Sequence, residues 1–185
     1  VVIGKGGRLI PNTVIENDVK GYVGQSKEPL DPQEDGMDFF ESLECMLVQI
    51  NDAKAVSTRN GYNEVSVVAD GGEDAGIFSE EGVLVLREND PNPERIMIDD
   101  SFVMMPEIHV GAVFAEPLVG VVDYDYGNYR IQLLKKPVLA QNAPFVAASA
   151  TGTEQDWHLA VATYNLENFS SLQDLEKSRK IAAEI

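Results

Sequence analysis

Turn-forming residues divide this sequence into short apolar stretches, and this spacing leaves little room for long helices. Gly, Asn, Asp and Pro cluster at residues 59–61, 70–74, 88–93, 99–100 and 125–128. Clusters of these residues mark turns and end the elements on either side of them. Between them, alternating apolar runs predict strands at residues 46–56, 64–69, 82–86, 95–98, 113–122 and 129–134. The sequence therefore predicts a mainly β fold, built as a small antiparallel barrel or sandwich.

The clearest local element is a β-hairpin at residues 119–133, in which two alternating strands flank a Gly-Asn turn. We expect its tyrosines, Tyr124, Tyr126 and Tyr129, to form cross-strand pairs that hold the two strands together. An alternative role for these rings is to stack on bases or sugars. The hairpin is thus both a structural element and a candidate binding surface.

A short helical turn is predicted at residues 37–43, because Phe39, Phe40 and Leu43 then share one face. The only cysteine, Cys45, follows in an apolar run. We expect it to be a buried small residue rather than a nucleophile, and a single cysteine excludes an internal disulfide.

Four segments follow from the change of composition along the chain. Residues 1–36 are an irregular lead-in or the end of a preceding β module, residues 37–140 form the β module, and residues 141–155 read as a linker. Residues 156–185 predict one strand and one amphipathic helix, which we expect to be a truncated α/β unit. Both ends of the sequence read as internal, so we expect a fragment of a longer protein.

The net charge of −17, from 31 acidic and 14 basic residues, argues against a nucleic-acid clamp. Such proteins bind phosphates mainly through Lys and Arg. We therefore expect weak or no nucleic-acid binding by the fragment, and no apolar run is long enough for a membrane span. Three acidic loops are candidate calcium sites, although none has the EF-hand spacing: residues 70–74, Asp99 with Asp100, and Asp123 with Asp125.

The tetrapeptide Asn165-Leu166-Glu167-Asn168 follows the predicted strand at residues 160–164. This arrangement resembles the opening motif of the endonuclease/exonuclease/phosphatase superfamily, the DNase I-like phosphodiesterases. The resemblance implies that Asn165 is a catalytic residue that orients the scissile phosphate and that Glu167 is a metal ligand. It also implies a divalent cation in the parent protein, Mg²⁺ or else Ca²⁺ or Mn²⁺, because phosphodiester hydrolysis uses a hard cation held by oxygen ligands.

The upstream region is similar to the OB-like β modules that precede the catalytic domain of large secreted bacterial nucleases. The resemblance rests on residues 35–48, 92–100, 110–111 and 120–124, and Cys45 stands where those proteins usually have Gly. It implies a secreted or cell-surface location and DNA or RNA as the substrate of the parent. The remaining catalytic groups have no counterpart here, and we expect structural roles for His109 and His158, so the fragment itself is predicted to be inactive.

A reading from a different class also stays open. The strongly acidic composition suits a non-enzymatic surface module that binds carbohydrate or calcium. In that case residues 165–168 are a polar loop without a catalytic role.

Overall fold

The computed structural model of this protein describes residues 1–19, 27–79 and 82–142. These residues contain one α-helix and nine strands. The elements are β1 (Val2–Ile3), α1 (Gly36–Glu41), β2 (Leu47–Ile50), β3 (Lys54–Ala55), β4 (Val65–Val68), β5 (Ile96–Asp99), β6 (Val113–Phe114), β7 (Leu118–Asp125), β8 (Asn128–Leu133) and β9 (Leu139–Gln141). The prediction of a mainly β, barrel-like fold is confirmed. The predicted α/β unit at 156–185 lies outside the described residues.

All nine strands belong to one curled sheet, in the order β1-β2-β7-β8-β5-β4-β3-β6-β9. The pairs β1/β2 and β5/β8 are parallel, and the others are antiparallel. The strands at the two ends of this order are β1, which lies in the segment predicted as a lead-in, and β9, which crosses the predicted boundary between the β module and the linker. Both are only two or three residues long, and so short a strand carries no readable alternation.

The core lies between the inner face of this sheet and α1. Phe39, Phe40 and Leu43 are buried there together, as the predicted helical face requires. In β7 the residues alternate between buried and half-buried up to Asp123, which is the period of a strand with one covered face. The largest fully buried sheet side chains are Ile3, Ile50, Ile96, Ile98, Ile131 and Leu133.

The hairpin is formed by β7 and β8, and its turn is one residue away from the predicted position. Asp125 pairs with Asn128, so Tyr126 and Gly127 are the two loop residues. Both have positive φ, 48° and 79°. Such angles define a type I′ turn, whose twist matches that of the strands it joins. The predicted cross-strand pairing is confirmed for Tyr124 and Tyr129 and is wrong for Tyr126, which lies in the loop and is 91% exposed.

Several local predictions are wrong. The single strands predicted at 46–56 and 113–122 are each divided in two, into β2 and β3 and into β6 and β7. Cys45 is exposed, because the chain turns between α1 and β2 with Cys45 in the left-handed region, φ 62°. That angle favours glycine and directs the side chain to solvent. Residues 82–86 form no regular strand: Leu84 makes one isolated bridge to Phe78, and Leu86 is 72% exposed. Their apolar alternation has no sheet neighbour to pack against.

Candidate cation site and adjoining cleft

Three acidic side chains converge beside the start of α1. One carboxylate oxygen from each of Glu16, Asp35 and Asp38 lies within 4.8 Å of the others. Asp35 is 0% exposed and Asp38 is 4% exposed, while Glu16 is half-buried. Asp and Glu are rarely buried to this degree unless something compensates their charge.

Backbone pairing between distant segments brings these residues together. The N–H groups of Gly36 and Met37 donate to the carbonyls of Val14 and Ile15, each at 3.0 Å. This holds the segment that carries Glu16 against the first turn of α1. Gly36 permits the close approach, since a Cβ there would lie 2.6 Å from the Cβ of Pro93. Asp35 precedes the helix in an extended conformation and Asp38 lies in its first turn, so both carboxylates point to the same place.

Each carboxylate uses one oxygen to accept backbone N–H groups. Asn17 donates to Oδ2 of Asp35 at 3.3 Å, Asp31 donates to Oδ2 of Asp38 at 2.8 Å, and Val19 donates to Oε1 of Glu16 at 3.1 Å. The other oxygen of Asp35, Oδ1, is buried and has no hydrogen-bond donor in the described part of the chain. The same holds for Oε2 of Glu16 and Oδ1 of Asp31. The backbone therefore fixes the orientation of the carboxylates and leaves buried acceptor oxygens for a ligand.

The neighbouring carboxyl groups raise the pKa values of Asp18 and Asp35. A hydrogen bond with the Glu16 carboxylate, with the nearby charges of Asp31 and Asp35, raises the pKa of Asp18 to about 6. Burial raises the pKa of Asp35, and the charges of Asp31, Glu16 and Asp38 raise it further. Within residues 1–19, 27–79 and 82–142, no Lys or Arg forms an ion pair with any of the five carboxyl groups. The cluster of Glu16, Asp18, Asp31, Asp35 and Asp38 thus carries negative charge without a matching cation from the described chain.

The acidic loops that the sequence offers as calcium sites have cationic partners instead. Asp70 accepts the backbone N–H of Lys5 at 2.7 Å, and Glu73 pairs with the Lys5 ammonium. Arg130 forms ion pairs with Asp99, Asp123 and Asp125, and with Glu64. Because protein cations already pair with Glu73, Asp99, Asp123 and Asp125, these loops are poorer candidates than the cluster beside α1.

A cleft of about 560 Å³ opens beside the acidic cluster. Asp18 and Asp38 line one part of it. Another part is an aromatic wall formed by Phe40, Tyr129 and Tyr124. The ring of Tyr129 stacks on Phe40, with centroids 6.0 Å apart, and lies 4.8 Å from the ring of Tyr124. The cleft is therefore bounded by both carboxylates and aromatic rings, and its volume falls in the usual range for small-ligand sites.

The wall is fixed in place by a polar contact as well as by packing. The hydroxyl of Tyr129 donates to the Glu41 carboxylate, and both burial and this hydrogen bond raise the pKa of Tyr129. Tyr124, at the outer end of the wall, is 51% exposed. One tyrosine ring is thus locked, and the other presents part of its face to solvent.

The site residues predicted from the sequence, Asn165 and Glu167, lie outside the described residues, as does His158, so their roles stay predictions. His109 is half-buried, with Nε2 3.8 Å from a carboxylate oxygen of Glu107. The sequence reasoning missed Glu16, Asp35 and Asp38. A signal was present in the spacing of Asp35 and Asp38, because an acidic residue just before a predicted helix and another three positions later lie near the same helix start.

Together, the fold and the cluster define a mainly β, barrel-like module with a buried group of carboxylates next to an aromatic cleft. Residues 2–143 match a family model described as "Domain of unknown function (DUF8508)", and the chain belongs to this family. No curated protein and no solved structure matches the chain. Over the same described residues, no helix combines the length and apolar character that a membrane crossing requires.

Proposed function

We propose that this β module binds a calcium ion through the carboxylates of Glu16, Asp35 and Asp38. The observation that carries the proposal is Oδ1 of the fully buried Asp35, which is surrounded by further carboxylates and has no hydrogen-bond donor among the described residues. An ionised carboxylate in such a place is costly unless a cation pairs with it. A bound cation removes this cost and uses the oxygens that the backbone leaves free.

The ligand chemistry favours calcium over other metals. The cluster offers only carboxylate oxygens, which select hard cations, whereas zinc sites usually contain His or Cys. Oxygens on opposite sides of Ca²⁺ are about 4.6–5.2 Å apart, against about 4.0–4.2 Å for Mg²⁺. All three oxygens lie within 4.8 Å of one another, so one Ca²⁺ can contact all of them, and Ca²⁺ tolerates an irregular arrangement better than Mg²⁺, which requires near-ideal octahedral geometry. Calcium takes 6–8 ligands, so positions remain for other groups.

Isothermal titration of the full chain with CaCl₂ at pH 7.5 is expected to give one saturable site. Asp35→Asn should weaken its affinity at least tenfold, because it removes a charge from the centre of the cluster. Mg²⁺ should bind more weakly than Ca²⁺ to the unmodified chain. Glu88→Gln is the matched control, since it removes one exposed carboxylate outside the cluster and should leave the affinity unchanged. Equal affinities of the Asp35→Asn and unmodified chains would refute the proposal.

A second candidate function concerns a longer protein that contains this chain. The motif at residues 165–168 and the upstream resemblance support a secreted or cell-surface nuclease that hydrolyses DNA or RNA phosphodiester bonds. In this proposal Asn165 orients the scissile phosphate and Glu167 holds a divalent cation, Mg²⁺ or else Ca²⁺ or Mn²⁺. The net charge of −17 supports a division of labour in which the β module does not hold the nucleic acid.

Plasmid cleavage by the longer protein with Mg²⁺ tests this second candidate. Asn165→Ala and Glu167→Ala should each lower the cleavage rate at least tenfold, because each removes a group that contacts the phosphate or the metal. Asn168→Ala is the control and should retain the unmodified rate. Rates that stay unchanged in both site variants would exclude these residues from the mechanism.

A further inference from the structure

The acidic cluster and the cleft share two of their residues. Asp38 offers one of the three converging oxygens and also lines the cleft. Asp18, whose carboxyl interacts with Glu16, lines the cleft as well. A calcium ion held by the cluster therefore lies next to the cleft, and its remaining coordination positions are within reach of a ligand bound there.

The charges of the cleft limit which ligands it accepts. Asp18, Glu28, Asp38 and Glu41 are acidic, and Arg95 is basic. A phosphate-rich polymer brings only negative charge and acceptor oxygens, and the carboxylates of the cleft and the calcium site outnumber the positive charges of Arg95 and one Ca²⁺. A neutral ligand with many hydroxyl groups suits them better, because each hydroxyl can donate to a carboxylate and accept from the guanidinium of Arg95.

The aromatic wall adds a requirement for a flat apolar face. Tyr124 offers part of its ring to the cleft, and the neighbouring Tyr129 ring, which also lines the cleft, lies against it at 4.8 Å between centroids. Tyr129 is itself held by Phe40 and Glu41, so the wall is arranged before any ligand arrives. Preorganised rings of this kind bind without a large loss of side-chain entropy. The faces of sugar rings carry C–H groups that pack on such a surface.

From these features we infer that the cleft binds a neutral carbohydrate, with one sugar ring packed on Tyr124 and adjacent hydroxyl groups completing the coordination of the calcium ion. This inference rests on the proposed calcium site. It assigns the hydroxyls to the polar end of the cleft and the ring face to its aromatic wall.

Affinity electrophoresis of the full chain through gels that contain neutral polysaccharides tests the inference. The probes are mannan, galactomannan, laminarin, dextran and arabinoxylan, each run with CaCl₂ and with EDTA. At least one polysaccharide should retard the chain in CaCl₂, and EDTA should abolish this retardation. A single-stranded oligothymidylate, tested by gel shift in CaCl₂, should not bind.

Substitutions separate the cleft from the rest of the surface. Tyr124→Ala and Arg95→Ala should each weaken polysaccharide binding at least tenfold and keep the unmodified calcium affinity, which also shows that the variants are folded. Tyr62→Ala is the control, since Tyr62 is 83% exposed and does not line the cleft. Its binding should be unchanged.

The outcomes distinguish the two proposals. Loss of calcium binding in the titration refutes the calcium site and this inference with it. Normal calcium binding with no retardation by any of the five polysaccharides overturns the carbohydrate inference alone. Retardation that survives EDTA or is unaffected by Tyr124→Ala also overturns the carbohydrate inference. Binding of the oligothymidylate without binding of any polysaccharide would assign the cleft to nucleic acid.

Discussion

Calcium at about one hundred times its dissociation constant is expected to raise the unfolding temperature of the chain by on the order of 5–10 °C at pH 7.5. A ligand at this excess that binds only the folded state adds about 2.7 kcal/mol to the free energy of unfolding. For a protein of this size, each kcal/mol corresponds to roughly 2–4 °C. Differential scanning calorimetry in CaCl₂ and in EDTA measures the shift.

The calcium-dependent rise in unfolding temperature should depend on pH, because carboxyl groups of the acidic cluster bind protons. In the calcium-free chain the pKa of Asp18 is raised from 3.8 to about 6. Between these two values the folded state holds a proton that the unfolded state has lost. The contribution of Asp18 to stability is therefore complete below about pH 3.8 and is lost as the pH rises through about 6. Calcium binding to Glu16 competes with the proton that Asp18 shares with the Glu16 carboxylate, so its stabilising effect should be larger at pH 7.5 than at pH 5.

Asp35→Asn provides the decisive variant for this experiment. It should remove most of the calcium-dependent rise in unfolding temperature, while Glu88→Gln should retain the rise. In EDTA at pH 7.5 the Asp35→Asn chain should be at least as stable as the unmodified chain. The amide oxygen can still accept the N–H of Asn17, and one repelling charge is gone. An undiminished calcium shift in Asp35→Asn would contradict the assignment.

The second large effect is expected at Arg130. Arg130→Met should lower the free energy of unfolding by about 3–5 kcal/mol, because removing one partner of a buried ion pair leaves the other charges uncompensated. Arg130 is 8% exposed, and its guanidinium lies 3.1 Å from carboxylate oxygens of both Glu64 and Asp99. It also pairs with Asp123 and Asp125 on β7. One side chain on β8 thus neutralises carboxylates from the strands on both sides.

Urea denaturation measures this loss, and two further variants serve as comparisons. Arg130→Lys keeps the charge but not the planar fork of donors, so its loss should be intermediate. Lys135→Met breaks an ion pair with Glu116 in which both side chains are largely exposed, and should cost less than about 1 kcal/mol. A loss below about 1 kcal/mol for Arg130→Met would show that the buried network does not hold the sheet together.

Periodic features of the fold could be read from the sequence, and contacts between distant segments could not. The alternation in β7 and β8 and the shared face of Phe39, Phe40 and Leu43 are local patterns, and the structure confirms them. The sequence pattern does not predict short strands such as β1 and β9, because only their pairing with other strands defines them. The position of Cys45 also depends on its backbone angle, which apolar neighbours do not reveal.

The candidate site was less accessible to sequence reasoning for the same physical reason. Whether an acidic residue is solvated or buried depends on what covers it, and Glu16 meets Asp35 only because two backbone hydrogen bonds join their segments. Acidic loops that stand out in the sequence, such as the one containing Asp70, are paired with basic residues from elsewhere in the chain. The carboxylates of the acidic cluster have no basic partner among the described residues, and most of them lie in residues 1–36, whose sequence reads as irregular.

The β7/β8 hairpin gives neighbouring residues different tasks. Successive side chains of a strand point to opposite faces, so Tyr124 and Tyr129 lie on one side of the hairpin, and Asp123 and Arg130 lie on the other. Substitutions at Tyr124 can therefore change the surface of the cleft while the ion pairs on the opposite face stay intact. A one-residue slip in the register of β7 against β8 would exchange the two faces, and it would disrupt the tyrosine pair and the Arg130 ion pairs together.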